Sequence, residues 1–214
     1  MDNEIEKTTA VKALLFDLGG VIMDIRREDC VAALEALGMK EAGSMLGDYG
    51  QTGPFLSLEK GEITPEEFRR ELRAYLPAGV TDAQIDAAFQ RFLTGIPVRR
   101  LRALEALHGR YKIYMLSNTN AIMWYGRIDE EFRKDGHDMG YYFDGWVPSF
   151  EVKAYKPDAR IFRIACERFG LTPGETLFFD DSQANCEAAA ALGFRTAWVR
   201  PGTDFTDWFP RLKQ

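Results

Sequence analysis

Apolar residues along this chain follow two alternating rhythms. Short runs that are apolar at nearly every position, such as Val11-Lys12-Ala13-Leu14-Leu15-Phe16, read as strands buried on both faces. Between them, apolar residues recur every three or four positions, as on one face of a helix. The runs predict strands over Lys12–Phe16, Lys112–Leu116, Thr176–Phe179 and Thr196–Val199, with a weaker one near Gly145–Pro148. Helices are expected over Val98–Leu107, Ala121–Lys134, Ala159–Phe169 and Ala184–Leu192, the last closed by Gly193 at its C-terminal end. Thr172-Pro173-Gly174-Glu175 reads as a short helical turn with a capping box. Strand and helix in alternation predict an α/β fold around a parallel sheet.

The stretch from Arg26 to Gly95 breaks this alternation, with helical patterns and no convincing strand. Thr64-Pro65-Glu66-Glu67 has a Thr N-cap, Pro at the first helical position and Glu at the third. Phe68, Leu72, Tyr75 and Leu76 then share a face until Pro77. Thr81-Asp82-Ala83-Gln84 repeats the capping box, followed by Ile85, Ala88, Phe89, Phe92 and Leu93 at helical spacing. A helical block inserted directly after the first strand suggests a lid that excludes water from reacting groups. The aromatic ending Phe205-Thr206-Asp207-Trp208-Phe209-Pro210 is expected to pack on the sheet edge. The polar start, Met1 to Ala10, reads as a frayed tail without a signal peptide's apolar stretch.

Composition narrows the class of partner. The 214 residues carry a formal net charge of -6, which gives a nucleic acid or an anionic membrane no electrostatic support. Cys30, Cys166 and Cys186 are odd in number and lack CxxC spacing, so neither a disulfide framework nor a zinc site is expected. No apolar run has the ~18 residues of a membrane-spanning helix. These features together point to the cytoplasm.

Three predicted strands end in polar residues. The first ends in Asp17-Leu18-Gly19-Gly20, the second in Ser117-Asn118-Thr119-Asn120, and a later one in Asp180-Asp181-Ser182. In parallel sheets, ligands bind beyond the carboxyl ends of the strands. Any one such end is an ordinary helix cap; three on neighbouring strands converge on one site. Carboxylates gathered there repel one another and drive their pKa values up, which a divalent cation relieves. Oxygen-only ligands favour Mg2+, which binds one or two carboxylates plus substrate phosphate. Ser117 and nearby backbone N–H groups suit phosphate oxygens, and Lys156, before Pro157-Asp158, is a better charge neutraliser than Lys153. The set suits phosphoryl transfer, where positioning and electrostatics do most of the work.

In order and spacing, these motifs resemble the haloacid dehalogenase (HAD) superfamily: Asp17-Leu18-Gly19-Gly20-Val21 the first, Ser117-Asn118 the second, Lys156-Pro157 the third, Asp180-Asp181 the fourth. The resemblance implies a Rossmann-like core over residues 1–24 and 97–214, with a helical C1 cap over 25–96. Finer detail in Leu116 to Asn120, Lys156 to Ile161 and Phe178 to Asp181 is similar to YihX-type sugar-phosphate phosphatases. The resemblance implies that Asp17 attacks phosphorus to form an aspartyl-phosphate, and that Ser117 and Lys156 hold the phosphoryl group. It further implies that Asp17, the Gly19 carbonyl and Asp181 ligate Mg2+, with Asp180 as a supporting residue or alternative ligand. Asn118 is expected to help bind phosphate or substrate. A small phosphorylated substrate, a sugar phosphate, is the implied partner.

One position departs from the family pattern. Most HAD phosphatases carry a second aspartate two residues after the nucleophile, as general acid and base; here it is Gly19. General acid–base catalysis contributes typically ~10²–10⁴-fold. Three readings follow: a substrate with a good leaving group, such as a sugar 1-phosphate; a substitute acid, with Asp24 the candidate; or a metal-independent 2-haloacid dehalogenase, whose halide leaves without a proton. The Asp180-Asp181 pair favours a metal and hence phosphate. A non-catalytic phosphate- or partner-binding relative has no need of the full set. His108 and His137 match no motif.

Overall fold

The computed structural model describes residues 11–47 and 50–209. Five parallel strands form its central sheet: β1 (Ala13–Phe16), β4 (Lys112–Ser117), β5 (Gly145–Pro148), β6 (Thr176–Asp180) and β7 (Arg195–Trp198), in the spatial order β5-β4-β1-β6-β7. β1 is therefore central, with β4 and β6 on either side. Period-two alternation explains the near-continuous apolar runs. Leu14 and Phe16 of β1 face one core, shared with Ile113, Met115, Leu177 and Phe179. Ala13 and Leu15 face the other, shared with Tyr114, Leu116 and Phe178. Both faces are covered, as parallel sheets require.

Two more strands lie outside this sheet. β2 (Asp24–Ile25) and β3 (Leu93–Gly95) pair antiparallel, joining the chain's exit from β1 to its return from the helical block. The block is therefore not purely helical: a two-stranded ribbon brackets it, too short for periodicity to reveal. Within it, helices span Arg27–Ala36, Ala42–Met45, Gly53–Glu59, Pro65–Leu72 and Asp82–Gln90. Both expected capping boxes form, at Thr64/Glu67 and Thr81/Gln84. The Pro65 helix ends at Leu72, ahead of Pro77, in a tighter turn over Arg73–Tyr75. Phe92 and Leu93 are buried but lie beyond the helix end at Gln90. Phe55, Phe68 and Phe89 pack their rings pairwise at 5.2 Å, giving the block an aromatic centre.

Several expectations change in detail. The helix expected over Ala121–Lys134 is interrupted at Gly126 (φ -104°, ψ -108°). There Gln90 Oε1 accepts the Arg127 N–H at 3.0 Å, and a side chain inserted into a helical ladder kinks it. The turn Pro173–Glu175 forms, but the Thr172 side chain does not cap it; instead the Thr172 carbonyl accepts from Glu175 N and Thr176 Oγ1. The aromatic ending covers a face of the sheet, not its edge: the Phe205 ring meets Phe16 of central β1 edge-on at 5.1 Å, and Phe209 lies 5.9 Å from Phe179. Pro210 and the predicted tail, residues 1–10, lie outside the described residues. The three cysteines are free thiols; Cys30 and Cys186 are buried and Cys166 half-buried. Among the described residues, no helix is long and apolar enough to cross a membrane.

Candidate active site

Asp17 follows the last residue of β1, and its N–H continues the ladder to the Phe179 carbonyl at 2.8 Å. The central strand thus delivers its carboxylate between Ser117, at the end of β4, and Asp180, at the end of β6. Asp17 Oδ1 accepts from Leu18 N at 2.7 Å and from Lys156 Nζ at 2.8 Å. Lys156 is fully buried and also donates to Asp180 Oδ2 at 2.7 Å. Lys153 instead ends a short helix in a left-handed conformation.

The other polar ends divide the work. Asp180 is buried and committed to protein donors, its Oδ1 accepting from Ser182 N at 2.8 Å and Asn185 Nδ2 at 3.0 Å. Asp181 is more open and lines the cavity. Its carboxylate lies where a Cβ on Gly20 would stand, 2.2 Å from Oδ2, so only glycine, here at φ +73°, fits that turn. Ser117 Oγ lies 3.5 Å from the Asn118 carbonyl, too long to hold it, which leaves the buried hydroxyl for a ligand. Asn118 spends both ends of its amide on the Lys156 peptide: Oδ1 accepts Lys156 N at 2.8 Å and Nδ2 donates to Lys156 O at 3.0 Å. Its side chain positions Lys156, and Asn118 lines the same cavity.

Electrostatics describe a site built for a cation. Asp17, Asp180 and Asp181 each place a carboxylate oxygen within 4.8 Å of the others. Burial, followed by the neighbouring carboxylates, pushes the Asp17 carboxyl up against the opposing pull of Lys156. Asp181 is pushed up by burial and by Asp180. Burial works against the Lys156 ammonium, but Asp17 and Asp180 outweigh it and hold it above the ordinary lysine range. Three carboxylates against one lysine leave negative charge that a hard divalent ion fits.

Gly19 lines the cavity beside Asp17. A Cβ there would touch only the Ile25 side chain, Cγ2 at 3.4 Å and Cδ1 at 4.0 Å, an ordinary van der Waals contact. Asp24 does not take that part: its carboxylate pairs with Arg100 at 2.7 Å, and it is not among the residues lining this cavity. His108 sits against Asp144 at 3.2 Å, away from the motifs.

Two titratable cavity residues escaped the sequence reading. Glu59 ends the Gly53–Glu59 helix and is buried, and Tyr155 Oη donates to its Oε2 at 3.1 Å. Burial pushes Glu59 up from 4.5 to about 7, with the Tyr155 hydrogen bond only partly opposing it. Burial and Glu59 together push the Tyr155 hydroxyl far up. The sole local signal was Tyr155 directly preceding Lys156; nothing around Glu59 distinguishes it from a surface glutamate.

Comparison with known proteins agrees with this geometry. The family model of haloacid dehalogenase-like hydrolases matches residues 11–193. A D-ribitol-5-phosphate phosphatase from Bacteroides thetaiotaomicron is 33% identical over 91% of this chain and 95% of its own. An (S)-2-haloacid dehalogenase, 4A, from Burkholderia cepacia is 26% identical over 89% and 83%. A crystal structure of a HAD family enzyme from B. thetaiotaomicron, in complex with magnesium and inorganic phosphate, superposes with a TM-score of 0.87 at 38% identity, covering 93% of this chain and 99% of that one. With a parallel sheet in the family's topology and the four motifs gathered at its carboxyl edge, the chain belongs to the haloacid dehalogenase-like hydrolases.

Proposed function

We propose that this chain is a Mg2+-dependent phosphatase of a small phosphomonoester, a sugar or polyol phosphate, acting through an aspartyl-phosphate on Asp17. The observation that carries the reading is the convergence of Asp17, Ser117, Lys156 and Asp181 on one cavity, with Asp180 behind them. Asp17 Oδ1 is held by Lys156 and Leu18, and among the described residues Oδ2 receives no donor, which leaves it for attack. Ser117 Oγ and the Lys156 ammonium hold the phosphoryl oxygens. Asp17, Asp181 and the Gly19 carbonyl would hold Mg2+, with Asp180 fixing Lys156 beside them. The ion supplies the positive charge that lets a phosphate dianion approach this cluster. Residues 25–96 act as the cap that closes over the site from the carboxyl edge of the core, residues 1–24 and 97–214. Support for the substrate class comes from the ribitol-phosphate phosphatase and from the relative solved with magnesium and phosphate.

The dehalogenase reading draws on Gly19 and on the (S)-2-haloacid dehalogenase likeness. One experiment separates the two: phosphate release over a panel of sugar and polyol phosphates, beside halide release from a 2-haloacid, with and without EDTA. We expect phosphate release that EDTA stops and Mg2+ restores, and none from Asp17→Asn. Halide release indifferent to EDTA would move the chain to the dehalogenases.

A further inference from the structure

An alcohol leaving phosphorus needs a proton, and Gly19 has none to give. Among the described residues, five titratable side chains line the cavity: Asp17, Glu59, Tyr155, Lys156 and Asp181. Asp17 is the nucleophile, Lys156 holds its protons between two carboxylates, and Asp181 would hold the cation. We propose that Glu59 is the general acid that protonates the leaving alcohol and the general base that then activates water, with Tyr155 as its positioning residue. The inference rests on the phosphatase reading above.

Three features of Glu59 support this role. The first is its isolation from positive charge. Among the described residues, no Lys or Arg pairs with this buried carboxyl, and Tyr155 Oη is its one hydrogen-bond donor. Burial without a counter-charge favours the neutral acid, and a carboxyl pushed up to about 7 both gives and takes a proton near neutrality. The second is its orientation. Because Tyr155 occupies Oε2, the proton of the neutral acid belongs on Oε1. The third is rigidity. Ser149 Oγ is buried 2.6 Å from the Glu59 carbonyl, and the same oxygen accepts Thr119 N at 3.0 Å, two residues after Ser117. Nearby Gly61, at φ +65°, lies so close to the Phe150 carbonyl that a Cβ would stand 2.1 Å from it. The end of the Gly53–Glu59 helix is thus fixed to the loop that follows the phosphate-holding serine. A carboxyl held there lines the same cavity as Asp17 and Ser117.

In the first step a bond forms between Asp17 and phosphorus as the ester P–O bond breaks, and the departing oxygen takes its electron pair and the Glu59 proton. In the second, water attacks phosphorus, its proton passes to the Glu59 carboxylate, and the bond to Asp17 breaks. Glu59 ends protonated and Asp17 ionised, as they began.

The test compares leaving groups. Wild type, Glu59→Gln, Asp24→Asn and Glu59→Gln with Gly19→Asp are assayed on the best alkyl phosphate of the panel and on p-nitrophenyl phosphate, whose leaving group needs no proton. We expect Glu59→Gln to lower kcat/KM on the alkyl ester by ~100-fold or more and to leave that for the aryl ester nearly unchanged. Hydrolysis of the phosphoenzyme should slow, so nitrophenol appears in a burst equal to the enzyme. Gly19→Asp, where a Cβ makes only van der Waals contact with Ile25, should restore alkyl turnover. Equal losses on both esters, or a leaving-group-dependent loss in Asp24→Asn instead, would overturn the role. A wild type that releases no phosphate from any ester sinks the phosphatase reading, and this role with it. Should Glu59→Gln fail to fold, Tyr155→Phe carries the same test: a loss confined to alkyl esters supports the pair, and an equal loss on both opposes it.

Discussion

A buried carboxyl with no counter-charge leaves a mark on folding that can be read apart from activity. Glu59 titrates near 4.5 in an unfolded chain and about 7 in the folded one. Below pH 4.5 it is neutral in both states and favours neither. As pH rises toward 7 the unfolded chain ionises first, so the folded state loses stability over that window and no further above it. The gap corresponds to roughly 3 kcal/mol at about 1.4 kcal/mol per pH unit. Glu59→Gln is neutral at every pH and does not suffer this loss. Its Tm, close to wild type at pH 4.5, should therefore climb above wild type toward pH 7; a constant difference across the window would show that Glu59 titrates alike in both states and is not pushed up by burial. Asp17, Ser117 and the Asp180-Asp181 pair were legible in the sequence because each closes an apolar strand, and strand periodicity is local; Lys156 was legible through its place before Pro157-Asp158 at a helix start. Glu59 was not, because only the fold of the helical block turns the end of its helix inward.

At the scale of elements, the bracket between Asn118 and Lys156 joins the loop after β4 to the loop before the Ala159–Phe169 helix. Two hydrogen bonds across 38 residues fix where the ammonium stands. Asn118→Ala leaves the Lys156 peptide unpaired at a cost of about 1–3 kcal/mol. We expect a lowered Tm and a fall in kcat with little change in KM, measured on the alkyl phosphate. A rise in KM alone would instead mark Asn118 as a direct substrate contact. The central strands and the two capping boxes of the Arg26–Gly95 block emerged where the sequence placed them, because pleat and cap chemistry act within a few residues; the third expected box, at Thr172, did not form. Features made by distant partners did not. The β2–β3 ribbon joins segments about 70 residues apart, the kink at Gly126 depends on Gln90, and the aromatic ending reaches the sheet face through contact with Phe16.

Across the whole molecule, Arg100 ties together regions far apart in sequence. Its buried guanidinium donates to Asp204 at 2.9 Å, to Asp24 at 2.7 Å and to the Ile22 carbonyl at 3.2 Å. It thereby joins the exit from β1 to the segment that leads into the aromatic ending. Arg100→Met keeps most of the volume but leaves Asp204 with only the exposed Arg99 as its cation and removes the contact to Asp24; breaking a buried ion pair costs up to about 3–5 kcal/mol, and Arg99 offsets part of that. Thermal melts should show a drop of several degrees, while the ratio of alkyl to aryl phosphate turnover stays at the wild-type value. The fastening at Ser149 and Gly61 has a different reach. It ties the end of the Gly53–Glu59 helix to the backbone that follows Ser117, so under the cap proposed above this end of the roof stays beside the nucleophile. A pinned roof would favour small substrates over a phosphate borne on a folded protein through the way the cap is attached, before any side chain makes contact.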